Sequence, residues 1–163
     1  MLSSHQQKDT WEEWLASEVR ANYFAELVGH YQRRQRNLMW GILVLSSGAF
    51  TTSLSDWLPQ QYRWFRAILP LLAAGLSLWL LLARYERSAA ECSDLFLEWS
   101  GLGREFKGLW ENMYLDGASD TLTSLLDKRD KLSKRCTNFP NRRDRVLKWE
   151  RYVVAQHQDR LPA

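Results

Sequence analysis

Two long apolar runs interrupt an otherwise charged chain. Asn37 to Ser55 is 19 residues without a charge, and Ala67 to Ala83 is another 17. A helix needs about 20 mostly apolar residues to cross a bilayer core, and fewer when flanking residues snorkel. The two runs therefore predict a transmembrane hairpin over 37–83, with Arg66 and Arg84 at the ends of the second span. Trp57, Tyr62, Trp64 and Phe65 between the runs predict one interfacial aromatic belt, and Trp40, Trp79 and Tyr85 the other. Two buried helices of a water-soluble core are the alternative, but such helices seldom run this long without a charge.

On either side of the runs the apolar positions recur at spacings of three and four. Trp11, Trp14, Leu15, Val19, Tyr23, Leu27 and Tyr31 form one helical stripe. Thr10 and Glu13 have capping-box spacing, so a helix is predicted to open there after a loose segment 1–8. No proline or strong turn separates it from the first apolar run, so the two are expected to be continuous. From Arg84 the helical pattern continues without a break, and Cys92, Leu95, Trp99, Leu102, Phe106, Leu109 and Met113 keep heptad spacing, enough for a helical seam that would hold copies together. Gly101 and Gly103 lie within that stripe and mark a close backbone approach or a kink. Asp116-Gly117 ends the helix. Leu122, Leu125, Leu126, Leu132 and Cys136 give the next one an apolar face. Thr137 to Asn141 is a turn, and a last helix from about 142 carries Val146, Trp149, Tyr152 and Val153 to about 158. No segment alternates as a strand would. The predicted fold is an all-α membrane protein, oligomeric, with an N-terminal cytoplasmic helix (1–36), a two-span transmembrane hairpin (37–83) and a cytoplasmic helical bundle (84–163).

Arg33, Arg34 and Arg36 precede the first run and Arg84 and Arg87 follow the second, against Arg63 and Arg66 between them. The positive-inside rule then puts both termini on the cytoplasmic side of the membrane. Arg33-Arg34 before an apolar run loosely resembles a twin-arginine signal, but the run is too long and too far along the chain to be removed as one. Along the first run, Asn37, Gly41, Val44, Gly48, Thr51 or Thr52, and Ser55 step at threes and fours, which makes a small, weakly polar stripe. Such a stripe serves helix packing and pore lining equally.

The mean hydropathy of -0.43 and 25% charged residues show that most of the chain faces water. The net charge of +3 conceals an asymmetry: Met1 to His30 carries -3, and Lys134 to Arg151 carries +5. The basic residues Lys134, Arg135, Arg142, Arg143, Arg145, Lys148 and Arg151 allow three readings. They form a solvated face that balances an acidic helix of a neighbour, a surface for anionic lipids, or a site for a nucleotide or short nucleic acid. Trp149 and Tyr152 suit base stacking and core packing alike. Cys92 and Cys136 do not make a disulfide framework. The three histidines fall at no metal-ligand spacing, and no phosphate loop or catalytic set is present. The chain reads as a non-enzyme, with no catalytic residue, metal or cofactor assigned.

Tyr23-Phe24-x-Glu26-Leu27-x-x-x-Tyr31 leading into Arg33-Arg34-Gln35-Arg36 and the first run resembles the SLATT family over about residues 11–115. These are two-span effectors of bacterial antiphage defence. The small size and basic tail are similar to the stand-alone effector of Hailong-type systems. The resemblance implies a homo-oligomeric pore in the bacterial inner membrane, four copies on our reading, that depolarises the cell. It also implies gating by a nucleotide or short oligonucleotide made by a partner nucleotidyltransferase. Taken together, the residues and the resemblance give membrane lipids, further copies and that signal as partners. The basic cluster would be the ligand site and the stripe from Asn37 to Ser55 the pore lining. A membrane-anchored scaffold that recruits a cytoplasmic partner is the rival.

Overall fold

A computed structural model of the protein describes residues 2–54 and 65–158, with side chains at all of these except 49–54, 65–67 and 69. Among them all regular structure is helical: α1 (Ser4–Leu54), α2 (Phe65–Ala83), α3 (Tyr85–Glu111), α4 (Ala118–Cys136) and α5 (Arg143–Gln156). The expected continuity of the N-terminal helix with the first apolar run is present, since α1 is one element of 51 residues. Its start differs from expectation. Thr10 is no cap; its hydroxyl donates to the Gln6 carbonyl at 2.7 Å within the helix. The helix begins six residues earlier, at Ser4, because Leu2 is buried and its N–H bonds the Met113 carbonyl at 3.0 Å. The unbroken continuation expected from the second run into the next helix is not present, since α2 ends at Ala83 and α3 starts at Tyr85. Arg84 adopts a left-handed φ of 44° between α2 and α3, a conformation that an L-residue adopts at some cost.

The chain divides into two units, Met1–Leu27 with Glu91–Ala163, and Val28–Ala90. In the first, the N-terminal half of α1 shares a core with α3, α4 and α5. The heptad stripe of α3 supplies its centre: Cys92, Trp99 and Phe106 are fully enclosed, and Leu95 and Leu102 nearly so. Trp99 donates its indole N–H to Cys136 Sγ at 3.3 Å, which ties α3 to α4. Trp11 packs on Trp110 with ring centroids 5.2 Å apart, which ties α1 to α3. The stripe is therefore buried by its own chain; it does not present a seam to another copy. Gly103 faces α1, where an added Cβ would meet Ser17 Cβ at 3.5 Å, whereas one at Gly101 would meet nothing within 4 Å. Gly101→Ala is expected to raise stability by about 0.5–1 kcal/mol, the helix-propensity difference, measured by urea unfolding; a loss of stability would show a contact that the open site does not have.

The second unit has almost no core of its own. Among its described residues, Ala73 and Ala89 alone are buried hydrophobics. The two helices leave a shallow cleft between Met39, Ile42 and Leu43 of α1 and Leu80 and Leu81 of α2. Tyr31 of α1 meets Tyr85 of α3 with ring centroids 6.3 Å apart, and the Arg34 guanidinium lies 5.9 Å from the same Tyr85 ring.

The expected inner-membrane location does not hold. Among the described residues no helix is long and apolar enough to cross a membrane. The first run is diluted by Asn37, Ser46, Ser47 and the hydroxyls at Thr51, Thr52 and Ser53. The second sits on a helix of 19 residues that includes Arg66 and Pro70. The inside placement of both termini, which assumed those spans, falls with them. Most of the intervening segment, including Trp57, Tyr62 and Trp64, lies outside the described residues, as does Ser55.

Candidate functional site

The basic residues near the C-terminus divide between the end of α4 and α5 with the residue before it, and three of them are already paired with acids of the same unit. Arg135 makes a two-oxygen ion pair with Glu98 of α3, donating to Oε1 at 2.7 Å. Arg145 and Lys148 both converge on Glu26 of α1, at 3.6 Å and 3.4 Å. Trp149 adds its indole N–H to the same carboxylate at 2.7 Å. Lys134, Arg142, Arg143 and Arg151 are exposed. The Arg142 backbone N–H reaches the Tyr23 hydroxyl at 3.3 Å, and that hydroxyl donates to the Pro140 carbonyl.

The carboxylates of the N-terminal half of α1 are correspondingly used. Glu13 pairs with Arg129 of α4, Glu26 with α5, and Glu18 accepts from His157 just beyond α5 at 2.8 Å. His157 itself is buried against Trp14, with ring centroids 4.8 Å apart. The charge asymmetry of the sequence, acidic at one end and basic at the other, is thus matched within one chain. Burial works to raise the Glu26 carboxyl, but the Trp149 and Lys148 hydrogen bonds and the charges of Lys148 and Arg145 bring it below its ordinary value. Burial pushes the Cys92 thiol up to about 12 and raises Cys136, so both are protonated and poorly nucleophilic at neutral pH.

The small-residue stripe of α1 is described from Asn37 to Gly48. Asn37 and Val44 are exposed, and Gly41 and Gly48 are partly covered; the side chains of Thr51, Thr52 and Ser55 lie outside the described set. Around it stand exposed large apolar side chains: Trp40 and Val44 on α1, and Leu71, Leu81 and Leu82 on α2, each 62–74% exposed. Sequence spacing did not single out Glu26 and Glu18 as partners of α5, since a glutamate on a helix stripe carries no sign of what faces it. Among the described residues no group of His, Cys, Asp and Glu could hold a metal ion. No family model, characterised protein or solved structure matches the chain.

Proposed function

We propose that this protein is a self-associating helical scaffold whose copies assemble through the unit Val28–Ala90 and whose other unit receives partners. The observation that carries this is the exposure of Leu71, Leu81 and Leu82 of α2, each 70% or more exposed. Single-copy proteins rarely leave a large contiguous apolar surface in water. A groove on one foreign partner would cover one side of α2. Further copies of the same pair cover both sides, and closed symmetry is the usual arrangement for identical chains. Gly41 and Gly48 allow close approach of neighbouring backbones. The resemblance to SLATT effectors is consistent with action through assembly. The pore of that family presupposes spans that the described helices do not provide, so it is not carried over.

Light scattering of the full chain in aqueous buffer should give a mass of several copies. Leu71→Glu with Leu81→Glu should reduce it to one copy while helix content in the other unit persists. A single-copy mass for the unaltered chain, or a chain held in solution only by bound detergent or lipid, would overturn the proposal.

A further inference from the structure

The unit Met1–Leu27 with Glu91–Ala163 contains a cleft that the sequence pattern did not suggest. It has a volume of ≈ 500 Å³ and lies where α1, the end of α4 and the turn 137–141 meet. That volume is within the range of about 300–1,000 Å³ typical of small-ligand pockets. Its single charged wall residue is Arg20. Tyr23, Phe24, Trp99 and Phe139 supply aromatic wall, and Ser133 and Asn141 supply polar groups; no acid lines it.

Arg20 is an unusual cation. Its guanidinium lies over the Trp99 ring, 4.5 Å from the centroid, and makes one hydrogen bond, to Ser133 Oγ at 3.1 Å. Among the described residues no carboxylate is within ion-pair distance of it. Glu13 and Asp130 are the acids whose charges reach it, and Arg129 already holds both. Burial pulls the Arg20 guanidinium below its ordinary value, while Glu13 and Asp130 act in the opposite direction. Four of its five N–H donors have no protein partner. None of its nitrogens is both sealed from solvent and unpaired, so these donors are open to an arriving acceptor. Arg stacked on an aromatic ring, with its fork left open, is the arrangement that recognises carboxylate and phosphate.

We propose that this cleft binds a small organic anion, with one carboxylate or phosphate group against Arg20 and a planar or apolar body against Phe24 and Phe139. Arg20, Ser133 and Asn141 supply polar groups of the wall, and Phe24 and Phe139, whose rings pack at 5.8 Å, supply apolar ones. The side chains of Arg142, Arg143 and Lys134 are exposed and do not line the cleft, although the Arg142 backbone N–H bonds the Tyr23 hydroxyl on its wall. It belongs to a unit with its own core, so it does not depend on how the copies assemble.

The test titrates the full chain with phenyl phosphate, benzoate and inorganic phosphate by calorimetry. Phenyl phosphate or benzoate should bind saturably and more tightly than inorganic phosphate, and which of the two is tighter identifies the head group. Arg20→Gln should weaken that binding by about ten- to a hundred-fold, the effect of losing one charge-assisted contact. Phe139→Ala should weaken phenyl phosphate while leaving inorganic phosphate unchanged. Several results would overturn the proposal: equal binding by Arg20→Gln, loss of binding on changing Arg142 and Arg143 instead, or no preference over inorganic phosphate.

Discussion

Phe106→Ala is expected to destabilise the unit built from α1, α3, α4 and α5 by about 3–5 kcal/mol, a large share of the roughly 5–15 kcal/mol available to a domain. Phe106 is completely enclosed, one heptad after Trp99, which is equally enclosed. Its removal takes an aromatic ring's worth of transfer free energy and leaves a cavity that rigid helices refill poorly. Urea unfolding measures this directly, and its dependence on protein concentration decides between two meanings of the heptad stripe. In the Leu71→Glu, Leu81→Glu background, where the proposed assembly is broken, a stripe that packs within one chain gives the same midpoint at every concentration. A stripe that joins copies gives a midpoint that rises with concentration, because association and folding are then linked. The structure requires the first outcome, and a cost below about 1 kcal/mol, or a concentration-dependent one, would contradict the enclosure of Phe106.

That stripe shows what was legible in the sequence and what was not. Spacing at three and four located α3 and named its buried face from Cys92 to Leu109, since helical geometry puts those positions in line whatever they touch. It carried no information about what lay opposite. Heptad repetition suggested a seam between copies, whereas the partners are α1 and α4 of the same chain: Trp99 meets Cys136, and Trp11 meets Trp110. The helix start was misread for a related reason. Thr10 and Glu13 satisfy the capping-box spacing, but a threonine hydroxyl can equally bond back one turn, and a long-range contact at Leu2 extends the helix past it. Charge was legible as a total and silent as a pairing. The surplus of acid before His30 and of base after Lys134 suggested an outside partner, but the fold sets Glu13, Glu18 and Glu26 against Arg129, His157 and α5. Arg20 could not have been found this way, because what marks it is the absence of a nearby acid, a property of three dimensions.

The second large effect is expected at Glu26. Its carboxylate, 29% exposed, is the common acceptor for Arg145, Lys148 and the Trp149 indole, and so holds the first two turns of α5 to α1. Glu26→Gln keeps the shape and removes the charge that all three donors address. About 1–3 kcal/mol should be lost, the range for hydrogen bonds to a charged group. Hydrogen exchange should report the loss locally, with α5 amides exchanging faster and those around Trp99 in α3 unchanged. The pH dependence has a fixed sign. The Glu26 carboxyl lies below its ordinary value of 4.5 in the folded chain, so its contribution is complete above that value and is lost as pH falls through the lower folded one. Glu26→Gln should flatten this acid limb and leave stability at neutral pH uniformly lower. The variant also separates two roles for the basic residues. Arg145 and Lys148, released from Glu26, should bind a polyanion such as heparin more tightly than in the unaltered chain, with a steep dependence on salt. Unchanged α5 exchange and unchanged heparin affinity would mean that Val153 and the Tyr23–Pro140 contact dock α5 without Glu26. In that case the basic residues are a solvated surface whose charge is balanced in place.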